Sequence, residues 1–240
     1  SNKYKAHLQK IDAFFKKCHK HKVTILVQIG ASGEAMLHPI GRGRPHLDEN
    51  NMMKRGKQDL VWMPKFDPEV EEFVYHLAKT YGWPNGPVTA FNLWNEPWES
   101  SSISGWQADI PRYRAIYQRV AAGVFKAREQ DDVDVLVGGC DSSTNAWDKL
   151  FCDDPDKFLS IFDFVSIHYQ ALRAPVLYKN WNNRKHHKGR VLIWDTESWV
   201  ANTDDRVAGV LASYRAAGYD RVVAIGHYLS GGVDRWGNTR

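Results

Sequence analysis

Apolar residues in this chain change period again and again, from the 3.6-residue repeat of a helix to the short unbroken run of a buried strand, and that alternation limits the fold more than any other feature. Residues 4–20 set Tyr4, Leu8, Ile11, Phe15 and Cys18 on one helical face, and Val23–Ile29 (VTILVQI) follows as a β-branched run of strand length. Asp67-Pro68 opens a second helix carrying Val70, Phe73, Val74, Leu77, Ala78 and Tyr81, closed by Gly82, and the next strand is Val88–Trp94 (VTAFNLW). The pattern recurs four more times. Pro111–Gln130, with Tyr113, Ile116, Tyr117, Val120 and Val124 on one face, leads to strand Val133–Gly138. Ala146–Ile161 leads to Phe164–His168, and a less regular helical segment, Val176–His186, leads to Arg190–Asp195. Asp204–Ala217, with Val207, Val210, Leu211 and Tyr214 inward, leads to Arg221–His227. Strands nearly continuous in apolar residues have both faces covered, and their alternation with helices implies a parallel sheet, either open and doubly wound or closed into a barrel.

Two features favour the barrel. No glycine-rich GxGxxG or GxxxxGK[ST] turn follows any of the strands, so the usual nucleotide-binding reason for an open sheet is missing. Polar and aromatic residues gather just after the strands instead: Gln28, Asn95 with Glu96, Asp141, His168 with Tyr169, Thr196 with Glu197, and His227 with Tyr228. In a barrel these would ring one mouth. The 240 residues allow one such domain. Six strands do not close an eight-stranded barrel, so the expected fold is a single catalytic (β/α)₈ TIM-barrel domain over 1–240, with strands three to eight visible and the N-terminal strands absent.

Composition narrows the partners. Thirty-two basic and 28 acidic residues leave a net charge of +4, and no block of Lys and Arg resembles a nucleic-acid arm, so no nucleic acid partner is expected. No run approaches the ~18 apolar residues of a membrane span, and none is expected. Cys18, Cys140 and Cys152 are odd in number and show no CxxC spacing, which indicates neither a disulfide framework nor a zinc site. Neither metal nor cofactor is expected. Ten tryptophans, several of them in loops, supply flat apolar rings of the kind that stack on sugar faces or fill a core.

Glu96 and Glu197 are the residues best suited to chemistry. Each follows an apolar strand, in LWNEPW and IWDTESW, which puts a carboxylate beside a tryptophan at a strand end. An unpaired carboxylate there is costly to desolvate, and one kept for chemistry has a shifted pKa. Cleavage of a glycosidic bond needs such a pair, one acid to protonate the leaving oxygen and one carboxylate on the opposite side of the anomeric carbon. A retaining pair stands about 5 to 5.5 Å apart and an inverting pair roughly 6.5 to 9.5 Å, and the shorter distance is expected here.

WNEP after one strand, with a Glu ending the strand three further on, resembles the pattern of the clan A retaining glycoside hydrolases, the 4/7 superfamily. If VTILVQI is that family's strand three, Asn95-Glu96 ends strand four and Glu197 ends strand seven, a registration covering residues 4–228. The resemblance implies that Glu96 is the acid/base, that Glu197 is the nucleophile forming a glycosyl-enzyme intermediate, and that Asn95 hydrogen-bonds the sugar 2-hydroxyl. It implies that His168 and Tyr169 end strand six, where family members carry a His or Tyr touching the nucleophile. DFVSIHYQ resembles the xylosidase and iduronidase branch. His227 and Tyr228 stand where the family often has a Trp after strand eight, a departure that bears on the floor of the sugar subsite. Glu96 is expected to carry a raised pKa, and Glu197 to be held ionised by neighbours such as Tyr169.

Gln28, Trp98 and Trp199 complete the expected substrate contacts, with Trp106 a further stacking candidate. The connection from Gly30 to Phe66 is long for a βα loop and holds His38, Arg42, Arg44, His46, Lys54, Arg55 and Trp62, which allows an anionic oligo- or polysaccharide as substrate beside the plainer reading of a solvated loop. His186-His187 are adjacent within RKHHKGR and do not face one site on a helix. A secreted or periplasmic setting is favoured over the cytoplasm. The rivals are a barrel that binds carbohydrate without cleaving it, and a metal-dependent barrel hydrolase drawing on His168, His227, Asp141 and Asp195.

Overall fold

The computed structural model describes residues 2–29, 67–94, 110–142, 158, 160–168, 192–197, 212, 215–216 and 221–222. The chain divides into two compact units, Ser1–Gly139 and Cys140–Arg240, with the boundary inside a strand. It is an α/β protein whose paired strands run parallel in both units.

In the first unit, helix α1 (Asn2–Lys20) leads to strand β1 (Ile25–Ile29), α2 (Asp67–Tyr81) to β2 (Val88–Leu93), and α3 (Ile110–Asp131) to β3 (Leu136–Ser142). Basic residues in its last turn, Lys17, His19 and Lys20, suit the negative end of the α1 dipole. The helix stops where Lys22 turns left-handed (φ 57°) and the Val23 and Lys22 amides bond back to the Cys18 and His19 carbonyls. That turn uses up Val23, which is 52% exposed, so β1 starts two residues later than the β-branched run suggests. Cys18 is buried while Leu8 stays exposed at 44%, so the apolar face of α1 is covered chiefly at its C-terminal end among the described residues.

Helices α2 and α3 pack closely, and the reason is Gly123. A Cβ there would lie 2.6 Å from the Glu71 carbonyl oxygen and 3.0 Å from the Tyr75 nitrogen, so only glycine lets the two backbones approach. Arg119–Glu71 (3.0 Å) and Lys126–Glu72 (2.6 Å) flank the crossing. Every residue assigned inward on α3 is fully buried: Tyr113, Ile116, Tyr117, Val120 and Val124. On α2, Val70, Val74 and Ala78 are buried as expected, but Phe73 is 54% exposed and Tyr75 takes the interior position under the Lys126 ammonium.

β3 differs most from the sequence reading, since the strand begins at Leu136, pairs with β2 as far as Gly139 and runs on through Asp141 and Ser142. Val133 and Val135 are buried outside the strand, where Val135 Cγ2 would lie 2.9 Å from a Cβ on Gly82 and the Asp134 amide bonds the Trp83 carbonyl. Their β-branched chains are spent on packing the turn after α2, which resembles a strand in sequence without belonging to one.

In the second unit, β4 (Phe164–His168) has the predicted bounds and is buried along its whole length. It pairs with β5 (Leu192–Glu197), and β5 with β6 (Arg221–Val222). Phe164 and Trp194 stack at 3.9 Å between ring centroids and 10° between planes. β5 extends through Thr196 and Glu197, which the sequence reading placed just past the strand. Phe158, Ala212, Arg215 and Ala216 are helical, within the segments expected to be helices.

Candidate active site

In the first unit the candidate site begins where β2 ends. Trp94, 1% exposed, follows Leu93 in a left-handed conformation (φ 66°), two residues before Glu96. A bulky residue with positive φ is strained, and such strain persists only where neighbours over-determine it. Three contacts do so. The Trp94 amide donates to the Ile29 carbonyl (2.7 Å), the Gln28 side-chain amide donates to the Trp94 carbonyl (2.8 Å), and the Tyr113 hydroxyl donates to the Leu93 carbonyl (3.2 Å). Gly139 makes room for Tyr113, because a Cβ there would sit 2.7 Å from the hydroxyl oxygen. Gln28 was expected on the substrate; its side-chain nitrogen bonds the backbone just ahead of Asn95-Glu96. The reason is register, since Gln28 pairs with Asn92 and its side chain reaches the turn that ends β2.

In the second unit, side chains from three strand ends meet. Asp141 of β3 is 1% exposed, His168 of β4 is 5% exposed, and His168 Nε2 lies 3.2 Å from Asp141 Oδ1. Thr196 of β5 donates its hydroxyl to the same Asp141 oxygen at 2.5 Å and stands 3.3 Å from the Ile167 carbonyl. The Asp141 amide donates to the Ser166 hydroxyl oxygen at 2.9 Å. Cys140 and Asp141 both have positive φ, 95° and 32°, so two successive non-glycine residues are held in sparsely populated backbone to aim this carboxylate.

Burial pushes the Asp141 carboxyl up, but the charge of protonated His168 and the hydrogen bonds from His168, Thr196 and Ser166 outweigh it and hold the group below its ordinary value of 3.8. A carboxylate with a lowered folded pKa contributes stability that is complete above its unfolded value and is lost as pH falls through the folded one. Acidification from pH 5 to pH 3 is therefore expected to destabilise the wild type more than Asp141→Asn, as read by urea midpoints at the two pH values. Equal acid losses in the two proteins would contradict it.

The β4–β5 ladder is regular from Phe164↔Leu192 to Ile167↔Asp195, and then slips so that His168 pairs with Glu197. Thr196 is the residue left over. Glu197 is thus the last residue of β5, level with His168 at the end of β4.

The two described members of the expected site, Gln28 and His168, are accordingly engaged with Trp94 and Asp141, an aspartate that the sequence had offered both as a strand-end residue of the mouth and as a rival metal ligand. Glu197 is described in its backbone alone. Asn95, Glu96, Trp98, Trp106, Tyr169, His186, His187, Trp199, His227, Tyr228 and the 30–66 connection lie outside the described residues. Sequence reasoning set Asp141, His168 and Thr196 among the residues at strand ends but did not foresee that His168 and Thr196 share one Asp141 oxygen. Among the described residues no group of three or more His, Cys, Asp or Glu is placed to hold a metal ion, and no helix is long and apolar enough to cross a membrane.

No protein-family model matches the sequence, and no curated protein matches it. Among solved structures the chain is similar to the crystal structure of a bifunctional glucanase-xylanase from a metagenome library, with a TM-score of 0.44 and 15% identity over 64% of this chain and 44% of that one. It is also similar to a glucosidase from Croceicoccus marinus, with a TM-score of 0.49 and 14% identity over 65% of this chain and 38% of that one. The chain spans less than half the length of either structure.

Proposed function

We propose that the chain belongs to a (β/α)₈-barrel glycoside hydrolase that cleaves an oligo- or polysaccharide with retention, Glu96 serving as acid/base and Glu197 as nucleophile. The observation that carries this reading is the position of Glu197 as the terminal residue of a parallel strand, level with a buried His-Asp pair. Catalytic groups of barrel enzymes stand at carboxyl ends of strands, where a rigid sheet holds them and the loops admit substrate. In sequence, Asn95-Glu96 comes directly after Trp94, whose left-handed backbone follows the end of β2.

In this mechanism Glu197, ionised, attacks the anomeric carbon while Glu96 gives its proton to the departing oxygen. The glycosyl–Glu197 ester is then hydrolysed by water that Glu96, now a base, deprotonates. Asn95 holds the 2-hydroxyl, and the basic 30–66 connection suits a substrate bearing carboxylate or sulfate. Retention of configuration calls for carboxyl groups about 5 to 5.5 Å apart.

The test is the configuration of the first product. Proton NMR of a cleaved aryl glycoside in the first minutes, before mutarotation, is expected to show the anomer of the substrate. The opposite anomer would replace double displacement by direct attack of water.

A further inference from the structure

Strand side chains alternate between faces, so a slip of one residue reassigns every residue beyond it, and an extra residue near a site serves to re-aim a side chain. The slip in the β4–β5 ladder falls at Thr196, immediately before Glu197. Its hydroxyl reaches both the Ile167 carbonyl on β4 and Asp141 on β3, so one side chain ties the irregularity to two neighbouring strand ends. Asp141 in turn sits in strained backbone, is fully enclosed, and holds His168, the register partner of Glu197. Burial of a carboxylate is tolerated only with such bonds, and here they come from the strand ends beside Glu197.

We infer that Asp141 and Thr196 are positioning residues for the nucleophile: the Asp141–Thr196 hydrogen bond locks the β5 irregularity and so sets the direction from which Glu197 meets the substrate. The inference rests on the reading of Glu197 as nucleophile. Neither residue touches the reacting atoms. Both act through the backbone and through His168.

The test compares Thr196→Val, Thr196→Ser and Asp141→Asn with wild type and Glu197→Gln in the full chain, on a panel of 4-nitrophenyl glycosides. Misplacing a reacting group by a fraction of an ångström to one ångström lowers kcat by about 10- to 100-fold. Thr196→Val and Asp141→Asn are expected to show that loss with KM within about twofold of wild type, and Thr196→Ser, which keeps the hydroxyl, to recover most of it. A purely structural role would lower the melting temperature of Thr196→Val while leaving kcat per folded molecule unchanged. If Thr196→Val does not fold, the nearly isosteric Asp141→Asn carries the same comparison. Folded Thr196→Val or Asp141→Asn with wild-type kcat, beside an inactive Glu197→Gln, overturns the positioning role alone. An active Glu197→Gln, or a wild type that turns over no glycoside, removes the nucleophile and this inference together.

Discussion

Glu197→Ala is expected, on the proposed mechanism, to lower kcat by about 10⁴-fold or more, because the variant would lack the atom proposed to bond to carbon. The loss has a chemical fingerprint. Alanine leaves space beside the anomeric carbon, so azide added to the variant can attack from that face and form a glycosyl azide of inverted configuration. Glu96→Ala behaves differently, since proton donation is worth about 10²–10⁴-fold and matters only for leaving groups that need it. Glycosides with strongly acidic phenols should still form the glycosyl-enzyme in Glu96→Ala, and azide should then intercept it to give product of retained configuration. Opposite azide products from the two variants would assign the two roles. Wild-type rates in both variants would dismiss these glutamates as the catalytic pair and leave the buried His168–Asp141 pair without its proposed client.

Phe164→Ala is expected to destabilise the second unit by about 3–5 kcal/mol, through lost transfer energy plus the cavity it leaves. Phe164 is wholly buried at the start of β4 and lies flat on Trp194, so no solvent can enter to relieve the void and the ring contact is lost as well. Domains of this size have only about 5–15 kcal/mol to lose, and such a change consumes a large share. Phe73→Ala makes the comparison sharp. The same deletion at a 54% exposed position of α2 is expected within about 0.5 kcal/mol of wild type. Urea midpoints with unchanged slopes measure both. A Phe164 variant as stable as the Phe73 variant would mean that β4 is not the buried strand described above.

Helical spacing places Phe73 as readily inward as Val74 or Leu77, and nothing local distinguishes it from Tyr75. What separates them is the crossing with α3 at Gly123, which buries Tyr75 and leaves Phe73 in water. The same holds at Val133 and Val135, whose β-branched chains look like a strand start and are used to pack Gly82. Where one face alone is in question, as on α3, periodicity suffices, because every inward position meets the same neighbouring layer.

Among the described residues, the order of the strands and of the first three helices, the inward stripe of α3, the full burial of β4 and the presence of a glutamate at the end of β5 were determined by sequence, since period and residue type are local properties that each segment carries with it. Only the tertiary structure decided that Gln28 bonds a carbonyl 66 residues away, or that Thr196 bonds a carboxylate 55 residues away. Those contacts depend on strand register, on a one-residue slip at Thr196 and on left-handed backbone at Trp94, Cys140 and Asp141. Such features appear only when separate segments are paired, because each is unfavourable within its own segment and is offset by bonds that another strand supplies.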